Sequence, residues 1–328
     1  MVESKSHEKI LVTGASGRVG RRLVDALIER GDHVRVLILD FDVAPKNVEI
    51  VRGSLLNKDV AEEAVKDVDV VYHLAAMLDY TAPKNVMYGV NVTGTKNLVE
   101  ASSAKKFIYL SSTAVYGYHT NHSITEATPF APSGFYGKTK MLAEKIVLDK
   151  HGIVVRSPDI FGKGFQDGYE YVLKQLEKGT MPIIGSGNNR IHWIHISDLI
   201  EALLLAKDKG RPGEVYLVAG KEAKPQKELL ELLTEGLNKR PPSRHVSKCM
   251  ANAMAHYELL SARFRGSKPK VIPEHINKIT SDRIFDTSKA QRELGFVPHV
   301  GYDTAAKEIV EEYVQKSVKY ERKSVASQ

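Results

Sequence analysis

The chain has 328 residues, 42% of them hydrophobic and 27% charged, an ordinary globular balance that is long enough for one large domain or two modest ones. No run approaches the ~18 to 20 apolar residues of a membrane span, and the opening residues 1–9 are polar rather than a leader, so a cytoplasmic protein without membrane contact is expected. The net charge of +7 reads as a solvated surface with a mild preference for anions, because the basic residues look interleaved with acids instead of clustering with aromatics as nucleic-acid binders require; the single cysteine, Cys249, excludes an internal disulfide.

In chain order, the apolar runs 10–12, 34–39 and 68–74 are short, β-branched and unalternated, as strands buried on both faces should be. Helical patterns separate them: residues 18–30, ended by Gly31, then 57–66 and 85–104. With a third strand ending before Gly53 and 68–74 as the fourth, a fifth strand over 107–110, a helix from near Ser133 to Lys150 and a sixth strand over 153–155 follow. This alternation predicts an α/β protein with a doubly wound parallel sheet of the Rossmann type and a smaller, mainly helical C-terminal lobe. Residues 1–164, with returning segments near 190–220, are expected to form the first domain. Residues 165–189 and 221–328 are expected to form the lobe, frayed at 323–328.

The first strand runs into Thr13-Gly14-Ala15-Ser16-Gly17-Arg18-Val19-Gly20 and then a helix. In that strand-turn-helix setting Gly14 allows the tight turn, Gly17 lets the backbone approach a pyrophosphate, and Gly20 permits close packing of helix on strand, while the helix N-terminus supplies free N–H groups. Gly14, Ser16, Gly17, Arg18, Val19 and Gly20 are therefore candidate dinucleotide contacts. A carboxylate after the second strand favours NAD by holding the ribose hydroxyls. Asp40 arrives there a residue or two late, which leans towards NAD and leaves NADP as the alternative, with Arg18 able to meet either phosphate.

The fifth strand ends near Ser112, and Tyr136-Gly137-Lys138-Thr139-Lys140 follows about twenty residues later. Tyr136 and Lys140 are four apart and share one helix face, so the ammonium is expected to lower the phenol from its usual pKa of about 10 and fit it for acid–base work on a carbonyl or hydroxyl, with Ser112 donating to the same oxygen. Tyr80 and Lys84 have the same spacing, but Pro83 between them disfavours the continuous helix the pair needs. His192, His195 and Asp198 are spaced like metal ligands, yet on a strand the two histidines point to opposite faces, and no metal is expected.

Taken together, these residues resemble the extended short-chain dehydrogenase/reductases from Lys9 to about Gln315. His73-Leu74-Ala75-Ala76, Asn91-Val92-Thr93-Gly94-Thr95, Arg156 to Gly162 and His195-Ile196-Ser197-Asp198 carry the likeness along the chain. The resemblance implies that Ser112, Tyr136 and Lys140 are catalytic, that Lys140 also holds the nicotinamide ribose, and that Leu74, Ala75, Ala76, Asn91, Tyr136 and Pro158 face the cofactor. Where the family has an aspartate for adenine, this chain has Gly53-Ser54-Leu55, so Ser54 and Leu55 would make that contact by backbone. It also implies a homodimer through helices 85–104 and 133–150. The C-terminal segments, with Phe285 to Ala290 before Glu293 to Pro298, look most like the 3β-hydroxysteroid dehydrogenase and dihydroflavonol reductase branch, hence NAD(P)-dependent hydride transfer to or from a ketone or secondary alcohol. The alternatives are a UDP-sugar 4-epimerase, which needs arginines such as Arg190 on a diphosphate, and a dinucleotide-binding module without turnover.

Overall fold

The computed structural model describes residues 8–118, 123–165 and 169–326; the polar residues 1–7 and the last two residues of the expected frayed tail lie outside them. Among the described residues seven strands form one parallel sheet: β1 (Lys9–Thr13), β2 (His33–Ile38), β3 (Glu49–Arg52), β4 (Val70–His73), β5 (Lys106–Ser112), β6 (Ile153–Ser157) and β11 (Val215–Leu217). Their order is β3-β2-β1-β4-β5-β6-β11, so the direction of winding reverses between β1 and β4, where open α/β sheets leave a crevice at the carboxyl ends of the strands. The six strands expected for the sheet are joined by a seventh, β11, whose three residues are too few to show a period.

Helices cover both faces. On one side α1 (Arg18–Glu29) and α7 (Ile196–Lys209) pack Leu23, Leu27, Leu199 and Leu203 onto Ile10, Val12, Val36 and Ile108. On the other, α2 (Lys58–Val65) and α4 (Gly94–Ala101) pack Ala61, Ala64 and Leu98 onto Leu11, Leu37 and Val71. Successive strand residues point to opposite faces, so Ile10 and Val12 enter one core and Leu11 the other, which is why these strands carry no polar alternation.

The segment read as one helix over 85–104 is α3 (Lys84–Tyr88), a π-turn over Gly89–Thr93, and then α4. The π-turn contains Asn91, and π-turns inside helices often occur at functional positions. Next, α5 (Phe135–Leu148) carries the Tyr136–Lys140 pair.

The C-terminal part adds α6 (Glu170–Glu177), α8 (Gln226–Gly236), α9 (Lys248–Arg265), α10 (Pro273–Ile279), α11 (Ser288–Leu294) and α12 (Tyr302–Ala326). Three pairs of two-residue strands stitch it together: β7 (Ile160–Phe161) with β10 (Ile194–His195), β8 (Ile183–Ile184) with β13 (His245–Val246), and β9 (Arg190–Ile191) with β12 (Lys224–Pro225). Its own core joins Leu173 and Leu176 to Leu229, Leu233, Tyr302, Ile309 and Val310. Helix α12 continues to Ala326, past the point where the sequence suggested fraying.

Candidate active site

Gly14 follows β1 with φ +69°, and a Cβ there would meet the backbone N of Ala75 at 2.8 Å, so the glycine turn lies directly against the loop after β4. At Gly20 a Cβ would lie 2.2 Å from the carbonyl oxygen of Gly14. Only glycine lets α1 start this close to the strand it leaves. Gly17 caps α1 in an extended conformation with no side-chain cap, leaving the first N–H groups of the helix without the acceptor that Ser, Thr or Asp would supply. This cradle is of the kind a pyrophosphate fits.

The two loops are joined by a hydrogen-bonded chain that sequence reading did not anticipate. The Ala75 N–H donates to Thr13 Oγ1 (3.3 Å), Thr13 Oγ1 bonds His73 Nδ1 (2.7 Å), His73 Nε2 bonds Thr95 Oγ1 (2.8 Å), and Thr95 donates to the Asn91 carbonyl (2.7 Å). Because the Thr95 hydroxyl is spent on Asn91, it accepts from His73 Nε2, and His73 Nδ1 accepts from Thr13. Burial, followed by the nearby Lys140, pushes His73 down to about 3, so the ring stays neutral and the chain keeps this polarity. Asn91 accepts from Met77 N (2.7 Å) and donates to Met77 O (3.0 Å) and Thr139 Oγ1 (2.9 Å), tying the loop after β4 to α5. Asn91, expected as a cofactor contact, has its side chain committed to this brace.

Around the adenosine end, Asp40 is exposed in the loop after β2. A second carboxylate there, Asp42, accepts from Ser16 Oγ (2.6 Å) and so reaches the glycine loop. Arg52 at the end of β3 fixes this loop by donating to the carbonyls of Leu39, Asp40 and Asp42 at 3.0 to 3.2 Å. Nothing local in the sequence separates Asp42 from Asp40; only the folded contact with Ser16 does. The guanidinium of Arg18 stands over the Phe165 ring at 5.4 Å, linking the glycine loop to the segment after β7. Ser54 and Leu55 follow β3, and the Leu55 carbonyl accepts from Asn97 (2.8 Å). Pro158 follows β6, with Ser157 Oγ donating to its carbonyl (3.0 Å).

Ser112 is the last residue of β5, and its hydroxyl accepts from the Ala114 N–H (3.2 Å) and lies close enough to the Tyr136 phenol to favour its ionised form. Lys140 is buried one helical turn beyond Tyr136; its ammonium donates to the Leu110 carbonyl (2.7 Å) and lies 4.1 Å from the centre of the Tyr109 ring. The structure therefore brings Ser112, Tyr136 and Lys140 together at the carboxyl end of β5. It does not give the phenol the expected lowered pKa. Burial, with Asp159 adding, pushes Tyr136 up to about 12 against the neighbouring Ser112 hydroxyl, and burial pushes Lys140 down to about 7, so near neutrality Lys140 is only partly charged.

A buried ion pair sets the register of α5. Arg156 of β6 meets Glu144 of α5 at 2.7 Å, Ser111 of β5 hydrogen-bonds the same carboxylate, and Arg156 also donates to Tyr116 (2.6 Å). Asp159 pairs with Lys278 and with Arg283 (3.0 Å); burial alone would raise its pKa, but the two cations outweigh burial and hold it well below the usual carboxylate range. Tyr80, whose spacing to Lys84 matches that of Tyr136 to Lys140, sits before Pro83 and outside α3, yet packs edge-on to Tyr136 with ring centres 6.4 Å apart. A cavity of about 630 Å³ opens beside Tyr136, lined also by Tyr80, Lys84, Leu259, Arg263 and Glu274. His192 and His195 enter separate networks, the first with Gly220 O and Phe285 N, the second with Ser197 and Glu308.

A family model described as the NAD dependent epimerase/dehydratase family matches residues 10–219. An uncharacterized protein y4nG of Sinorhizobium fredii is 32% identical over 304 residues, spanning 88% of this chain and 74% of that protein. A 3 beta-hydroxysteroid dehydrogenase/Delta 5-->4-isomerase of Mycobacterium tuberculosis is 28% identical over 338 residues, spanning 93% of this chain and 90% of that protein. Among solved structures, a UDP-glucuronic acid 4-epimerase from Bacillus cereus, in complex with NAD, superposes with a TM-score of 0.75 over 94% of this chain and 99% of its own, at 22% identity, which is a likeness of fold.

Proposed function

Because the chain belongs to the NAD-dependent epimerase/dehydratase family, and within it has the extended short-chain dehydrogenase/reductase fold, we propose that it is an oxidoreductase that moves hydride to or from a ketone or secondary alcohol, with NAD as its cofactor and NADP as the alternative. The observation that carries this reading is the convergence of Ser112 at the end of β5, Tyr136 at the wall of an open cavity and the Lys140 amine buried one turn away. The dinucleotide, held by Gly14, Gly17 and the N-terminus of α1, would supply the hydride acceptor. Tyr136 exchanges the proton of the reacting oxygen, Ser112 holds that oxygen by a second hydrogen bond, and Lys140 supports the tyrosine side of the exchange.

The epimerase reading asks for arginines free to clamp a diphosphate. Arg190 is spent on the Ala223 carbonyl through both Nε (3.1 Å) and Nη2 (2.7 Å), and Arg283 is buried against Asp159. That commitment favours a substrate without a nucleotide diphosphate. Calorimetric titration with NAD, NADP, UDP and UDP-glucose tests it: micromolar dinucleotide binding and silence with both UDP compounds is the expected result, and clear UDP-glucose binding would favour the epimerase.

A further inference from the structure

Helix α9 buries small residues and exposes large ones. Its inward face is alanine, with Ala251, Ala255 and Ala262 buried and the first two packed on Ile184 and Ile276. Its large apolar residues are outside: Met250, Met254, Tyr257, Leu260 and Phe264, the last two 60% and 91% exposed. Steps of four, three, three and four residues place these five on one stripe of the helix. Scattered exposed hydrophobics are normal in a monomer, but a continuous stripe of this kind marks a surface that something covers.

Between residues 239 and 270 the sequence has eight lysines and arginines against one acid, Glu258, a net of +7. The formal charge of the whole chain is also +7, so all the other residues balance to zero. The basic residues are therefore not evenly interleaved with acids along the chain, as their overall count suggests; the net excess equals that of this one segment. All eight cations are exposed, and Arg240, Arg244 and Arg263 have no ion-pair partner among the described residues.

We propose that α9 is an interfacial helix that lays its Met250–Phe264 stripe into an anionic lipid bilayer, with the surrounding cations on the headgroups. An apolar stripe flanked by Lys and Arg is the composition of helices that lie in the headgroup layer, where long cationic side chains reach the phosphates while their stems stay apolar. A second copy of the chain fits less well, because a symmetric contact sets this positive face against itself. Nucleic acid fits less well because three of the five exposed apolar residues are aliphatic and offer bases no stacking surface. No helix among the described residues is long and apolar enough to cross a membrane, so the association is with the bilayer surface.

The surface is continuous with the candidate site: Leu259 and Arg263 of the same helix line the cavity that Tyr136 adjoins. Docked through α9, the protein would hold the mouth of that cavity at the lipid surface, where an apolar-tailed alcohol or ketone could enter without crossing water. This last step rests on the reading of Tyr136 as the reacting residue; the docking itself does not.

Flotation of the full-length chain with phosphatidylcholine vesicles, with and without about one third phosphatidylglycerol, tests the docking independently of any catalysis. Expected is at least ~10-fold more protein on the anionic vesicles at about 0.1 M salt, falling as salt is raised. Tyr257→Ser with Phe264→Ser should remove most of that binding, and Arg240→Glu with Arg244→Glu should remove the preference for anionic lipid, both with an unchanged melting temperature. Absence of binding to either vesicle, binding indifferent to both double variants, a homodimer dissociated by Phe264→Ser, or tighter binding to duplex DNA that Phe264→Ser leaves intact would each overturn the proposal.

Discussion

At the scale of single residues, the site depends on how burial redistributes protons. Lys140 shows it most clearly: its pKa falls to about 7 in the folded protein, against about 10.4 for a free lysine. Between these values the unfolded chain binds a proton that the folded chain does not, so the stability contribution of Lys140 rises with pH from about 7 towards 10 and is lowest below 7. Denaturant unfolding at intervals from about pH 7 to 9 should show wild type gaining stability relative to Lys140→Met as pH rises; a constant difference between the two would contradict the buried, discharged lysine. The sequence made Ser112, Tyr136 and Lys140 legible through their spacing and setting, but could not give the direction of their titration. Spacing tells which groups are neighbours, whereas the pKa is decided by desolvation, and for Tyr136 that depends on packing by Tyr80 and on the distant Asp159.

At the scale of elements, α5 is useful only if its register against β5 and β6 is fixed. Arg156, Glu144, Ser111 and Tyr116 fix it with a network that no local motif announces, because its members come from two strands, a helix and a turn up to 45 positions apart. Breaking a buried pair from one side leaves a charge stranded, so Glu144→Ala should lower the unfolding free energy by about 3 to 5 kcal/mol, while Glu170→Ala, which breaks an exposed pair with Lys174, should cost less than about 1 kcal/mol. Urea melts of the two variants check this; equal losses would mean that the buried pair is not the staple of α5. The main strands were legible because each is a short β-branched run, and α1 and α2 because glycine and asparagine mark their ends. The π-turn at Gly89–Thr93 was not, since one extra residue in a turn leaves the apolar period nearly unchanged.

At the scale of the molecule, the doubly wound sheet supplies a crevice and the C-terminal lobe closes one side of it, bringing α9 and α10 against the start of α5. Composition gives the net charge but not its distribution, and averaging along the chain hides the basic segment around α9. The helices expected to form a homodimer leave Val86 and Tyr88 exposed and Leu142 and Ile146 partly so, an apolar surface available to a second copy. Light scattering at micromolar concentration should give twice the chain mass of 36.4 kDa, and a monomeric mass would remove the dimer from the account.

The most direct test of the central claim is the Tyr136→Phe protein, followed by nicotinamide absorbance with a panel of secondary alcohols and ketones and by calorimetry with NAD. Removing one hydroxyl takes away the acid–base group while leaving the ring beside Tyr80, so kcat/KM should fall by roughly 10²- to 10⁴-fold with NAD affinity nearly unchanged. Turnover equal to wild type would contradict the account and place the chemistry elsewhere in the chain.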